Sequence, residues 1–130
     1  MPDTSVLTES ILNTTKHMLG IEAEYTHFDI DIITDINSAI NVLAQIGAVD
    51  DGYFIEGAAE TYGDMLGENL PVAMIVKTYI YHKVKLMFDP PLNGSVSQLI
   101  EKQIAEEEFR LKVQLDKTGE VPTDAVDGSE

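Results

Sequence analysis

The side chains able to do chemistry in this sequence are 23 acids, three histidines and five tyrosines; cysteine is absent. That absence removes thiol nucleophiles, thiolate metal sites and disulfides. His17, His27 and His82 have no metal-ligand spacing, and His82 reads as packing on its own helix. Asp29, Asp31 and Asp35 resemble a cation cluster. They lack the Asp-Gly turn and closing Glu of a calcium loop, and a position at a helix start accounts for the first two. Glu106-Glu107-Glu108 reads as a solvated face. Tyr53, Tyr79 and Tyr81 could stack on bases, but the charge around them is wrong for nucleic acid. There is no Gly-rich phosphate loop, no GxSxG and no HExxH. The residues therefore imply a protein that is not an enzyme and holds no cofactor or metal.

Charge carries more information than any motif. The chain has 130 residues and a formal charge of −15, with only eight Lys and Arg. Residues 1–70 hold thirteen acids against Lys16 alone, whereas 71–130 hold ten acids and seven bases. Such a balance argues against binding phosphate backbones or anionic membranes, both of which need clustered cations. Met1-Pro2-Asp3 lacks the basic and apolar regions of a secretory signal, so folding in a cytoplasm is expected. The longest apolar run, Val72-Ala73-Met74-Ile75-Val76, is far too short for a membrane span of about 20 residues.

Helical elements must position these groups. Val6, Leu7, Ile11, Leu12 and Thr15 recur at helical spacing from about Thr4 to Leu19, with Gly20 as the stop. A second helix is predicted over Asp29 to Ile46, capped by Asp29, with Ile33, Ile36, Ile40 and Leu43 inward. Residues 48–70 read as an irregular connection, with a turn at Asp50-Asp51-Gly52 and a single capped turn from Thr61 to Leu66. Pro71 opens the next helix and Pro90-Pro91 closes it. Two apolar stripes cover most of that helix, so it is either central in its own domain or buried against a neighbouring subunit, and the few elements available to surround it favour the subunit contact. After Asn93-Gly94 a further helix buries Val96, Leu99, Ile100 and Ile104. Residues Phe109 to Asp116 then alternate apolar and polar, a strand-like pattern; in a helix the four apolar residues would split onto opposite faces. The fold class is all-α: a helical domain over 1–117, of about four helices, and an acidic disordered tail over 118–130.

The run Val76-Lys77-Thr78-Tyr79-Ile80-Tyr81-His82-Lys83-Val84-Lys85-Leu86-Met87-Phe88-Asp89-Pro90-Pro91 resembles the head–tail connector (adaptor, or head-completion) proteins of long-tailed bacteriophages. Leu19-Gly20-Ile21, Tyr25-Thr26-His27-Phe28-Asp29 and Ile36-Asn37-Ser38 are similar to that family's first two helices and their joint. Leu99-Ile100-Glu101-Lys102-Gln103-Ile104 and Phe109-Arg110-Leu111 are similar to its last helix.

The resemblance implies a virion protein made in the host bacterial cytoplasm. Copies would form a ring, typically of twelve, beneath the portal protein, extending the DNA channel and offering a platform to the next connector, stopper or tail protein. DNA would pass without specific binding. Ile75, Val76, Tyr79, Ile80, Val84 and Met87 are then expected in the subunit core and ring interface. Phe109, Leu111, Val113 and Leu115 are expected to dock on the portal, in the manner of an added strand. Asp29, Asp31 and Asp35 are expected to face the bore, where their repulsion would keep DNA from sticking. Two other readings compete: an acidic DNA mimic that inhibits a nucleic-acid-processing enzyme, and a helical enzyme with a carboxylate-bound metal.

Overall fold

A capped interruption near the amino terminus sets the geometry of the first element. In the computed structural model, which describes residues 5–117, a short 3-10 turn at Ser5–Thr8 precedes α1, Ile11–Met18. The single helix expected over 4–19 is broken because Glu9 and Ile11, on either side of Ser10, bond across the chain instead. Ile11 N–H donates to Glu60 O at 2.9 Å, and Tyr62 N–H donates to Glu9 O at 3.2 Å. Ser10, held extended by this bridge to Thr61, is free to cap α1 by accepting from Asn13 N–H at 3.1 Å. Gly20, at φ 85°, ends α1 as expected.

Helix α2 spans Asp29–Ile46, with the predicted bounds, and buries Ile32, Ile36, Ala39, Ile40 and Leu43. Its inward stripe is shifted slightly, so that Ile33 is only half-buried. Asp29 does not cap it. Phe28 occupies that position without a side-chain bond, and Asp29 is engaged elsewhere. The irregular segment that follows is pinned by one side chain. Asn37 accepts from Ile55 N–H at 2.8 Å and donates to Ile55 O at 3.0 Å, which fixes Ile55 in the core. Thr61 and Asp64 then form a reciprocal capping box for the five-residue α3, Tyr62–Leu66. A β-carbon at Gly63 would sit 2.7 Å from Leu7 O, so only glycine lets α3 lie this close to the 3-10 turn.

Helix α4, Leu70–Phe88, starts at an Asn69 cap with Pro71 in its first turn and stops before Pro90-Pro91. It is the central element, packed by α1, α2, α3 and α5 together. Val76, Tyr79, Ile80 and Val84 of its two apolar stripes are covered within one chain, whereas Ile75 is half-buried and Met87 exposed. Helix α5, Gly94–Lys117, turns back along α4. The strand-like reading of 109–116 is overturned: helix continues to Lys117, and the described residues offer no sheet edge to pair with. Anchors to α4 decide this, since Tyr79 and His82 hold Glu108 and Glu107 at the point where the pattern changes. The split of apolar residues follows as expected for a helix: Leu111 turns inward and Phe109 outward. All described elements are helical, a small all-α bundle. The expected acidic tail, 118–130, lies outside the described residues.

Candidate interaction surfaces

Lys16, the sole base of the first seventy residues, is fully buried. A bare ammonium there would be prohibitively costly, so its partners are the reason it is tolerated. Its Nζ donates to Ala23 O at 3.0 Å and Tyr25 O at 2.7 Å, and lies 2.7 Å from the Asp29 carboxylate. Three contacts clamp the loop between α1 and α2. Asp29 is therefore neutralised, and of the three acids expected at a bore only Asp31 and Asp35 offer free charge. Asp31 is exposed. Asp35, one turn on, is half-buried, and burial followed by repulsion from Asp31 raises its carboxyl above the usual range.

The clamped loop displays aromatic rings. Phe28 lies 4.8 Å from His27, 5.9 Å from Tyr25 and 5.3 Å, edge to face, from Phe88 at the end of α4. Tyr25 is 52% exposed and Ile30 80% exposed. Between α2 and α4 a surface cleft of about 380 Å3 is lined by Phe28, Asp31, Thr34, Asp35, Met87 and Phe88. Sequence reasoning did not single out this surface; the signal available was the density of aromatic residues in Tyr25-Thr26-His27-Phe28. Nothing local told that Phe88 would join them.

The expected core and ring-interface residues separate by burial. Val76, Tyr79, Ile80 and Val84 are wholly buried inside their own chain and belong to the subunit core. Ile75 is half-buried, and Met87 is 43% exposed on the cleft. The four residues of the expected docking row do not share one exposed face. Leu111 is fully buried against the bundle, Val113 and Leu115 are half-buried, and Phe109 alone projects, at 66% exposure. Near the start of α5, Val96 and Leu99 are likewise exposed rather than inward.

The acidic run at the middle of α5 is not the solvated face it resembles. Only Glu106 faces solvent. Glu107 meets His82 Nδ1 at 3.0 Å, both side chains being nearly buried, and its carboxyl is raised chiefly by burial while His82 and Arg110 oppose the shift. Tyr79 donates to Glu108 at 2.8 Å, and burial first, then Glu108, push its hydroxyl well above the ordinary tyrosine range. These contacts lock α5 onto α4 and use up the residues that might have done chemistry. His17 is exposed and His27 lies in the aromatic cluster, both remote in role from His82. Among the described residues no group of three His, Asp or Glu could hold a metal ion.

What the molecule presents is thus apolar and charged surface on a rigid helical body. A family model described as phage connector protein matches residues 11–118, which takes in all of α1 to α4 and α5 to its end. No curated protein and no solved structure matches the chain. With more than four-fifths of its length covered, this chain belongs to the phage connector protein family.

Proposed function

We propose that this protein is an adaptor at the head–tail interface: copies assemble as a ring beneath the portal protein, extend the DNA channel, and seat the next connector or tail component. The coarser part follows from membership of the family. The protein is a phage connector, a virion component that interacts with other head and tail proteins, and the family's role is structural. No helix among the described residues is long and apolar enough to cross a membrane.

The observation that carries the finer reading is the family match across the whole helical body. Two features of the surface support it. Large apolar side chains stay exposed on separate elements, at Tyr25 and Ile30 around the start of α2 and at Phe109 on α5, which suits a subunit that meets neighbours through more than one surface. The charge of −15 suits a channel part that DNA passes without sticking. Electron microscopy of the chain with the portal protein tests the reading. Closed rings on the portal are expected; chains found only as monomers beside assembled portal would overturn it.

A further inference from the structure

We infer that the ring contact is a head-to-tail insertion: Phe109 of one copy enters the cleft between α2 and α4 of the next, while Arg110 and Lys112 meet its Asp31 and Asp35. This deepens, and rests on, the reading of the protein as a self-assembling adaptor.

The cleft has the chemistry of an acceptor. Phe28, Met87 and Phe88 give it an apolar lining able to take a ring edge-on or against sulfur. Asp31 and Asp35 give it two carboxylates one helical turn apart, and among the described residues neither has a cation within salt-bridge distance. In the free chain they repel each other, which is part of why the Asp35 carboxyl is raised. An arriving cation relieves that repulsion. No base of the chain's own first half can do so, because Lys16 is buried on Asp29.

The exposed face of α5 has the matching chemistry. Phe109 is the most exposed of the large aromatic side chains, and Arg110 and Lys112 flank it in the open without a salt bridge among the described residues. An aromatic anchor between two cations fits an aromatic cleft rimmed by two acids, and such central anchors dominate interface energies. The asymmetry holds at larger scale. Residues 5–70 carry twelve acids and one base, whereas 71–117 carry six acids and seven bases.

Geometry makes the contact intermolecular. Helix α5 runs antiparallel to α4, so the cleft at the end of α4 lies near the start of α5. Phe109 follows Glu108, which is held by Tyr79, nine residues of α4 before Phe88 and about 13 Å from it by helical rise. Leu115 near Gly47 places that distal part of α5 at the other end of α2. Donor and acceptor are therefore different surfaces of one chain, the condition for a heterologous contact that propagates and closes if its rotation allows. Asp31 and Asp35 then sit between copies rather than on a bore.

Charge reversal with rescue tests this on the full chain, with assembly followed by analytical ultracentrifugation alone and by electron microscopy with the portal protein. Arg110→Glu with Lys112→Glu should weaken association by at least about tenfold, and Asp31→Lys with Asp35→Lys should do the same, with the helical circular-dichroism signal kept in both. All four changes in one chain should restore assembly. Phe109→Ser should weaken association without any change of charge. Rings that persist in both reversed pairs, or absence of rescue in the fourfold variant, would overturn the contact while leaving the ring itself standing. Reversed α5 chains that still form rings but no longer hold the portal would give Phe109 to the portal instead, and overturn it equally. A wild-type chain that stays monomeric with and without portal removes the ring and this contact together.

Discussion

Lys16 shows how one buried charge can serve a surface some distance from it. Its ammonium is satisfied by two carbonyls and Asp29, and the loop so held is the one that displays Tyr25, His27 and Phe28. Lys16→Met would leave a carboxylate and two carbonyl oxygens without their donor. A loss of about 3 kcal/mol in urea unfolding is expected, since removing one partner of a buried pair costs more than the pair contributes. Asp29 keeps some access to water, so Asp29→Asn should cost less. A Lys16→Met chain as stable as wild type would show that packing alone holds the loop. Asn37 does comparable work through hydrogen bonds only, by fixing both backbone polar groups of Ile55.

At the scale of elements, α5 is the long helix that buries the smallest share of its residues. Of its 24 residues only Ile104 and Leu111 are buried, so its attachment leans on the polar contacts of Glu107 and Glu108 to α4. Glu107 makes this attachment sensitive to pH in a definite direction. Its carboxyl is raised above the ordinary value of 4.5, mainly by burial, so the folded chain binds that proton more tightly than the unfolded chain. Its contribution therefore grows as pH falls through the raised pKa towards 4.5, and is lost as pH rises above it. Thermal unfolding of Glu107→Gln should lack the stability that wild type gains from this carboxyl as pH falls towards 4.5. Identical slopes against pH would assign that gain to other acids, Asp35 among them.

The whole molecule is defined by lopsided charge on a closed helical body. A chain of −15 with only eight Lys and Arg has few cations with which to displace counterions from DNA. Duplex DNA should therefore keep its electrophoretic mobility in the presence of the protein at about 0.1 M salt, where surface charge still reaches about 10 Å. Retardation of DNA under those conditions would contradict the idea of a passive channel wall. The same charge bears on assembly, because like-charged copies approach only where complementary surfaces meet. In the proposed contact, the cleft and Phe109 are one such pair.

Local patterns in the sequence determined the elements that depend on neighbours along the chain. The bounds of α2, the Pro71 and Pro90-Pro91 limits of α4, the Gly20 stop and the Thr61 turn all follow from capping, proline geometry and helical spacing. The connector-like run from Val76 to Pro91 and the family match agree on what kind of protein this is. Tertiary structure decided what local rules leave open. The bridge between Ser10 and Thr61 cut the first helix, because a hydrogen bond to a distant strand of chain replaced one along it. The alternation at Phe109 to Asp116 became helix, because anchors on α4 reward that conformation and no partner strand rewards the other. Which face of α4 is free, which acid is neutralised by Lys16, and which aromatic residues gather at Phe28 depend on contacts across the bundle. Burial is a property of the packed chain, and no spacing rule reports it.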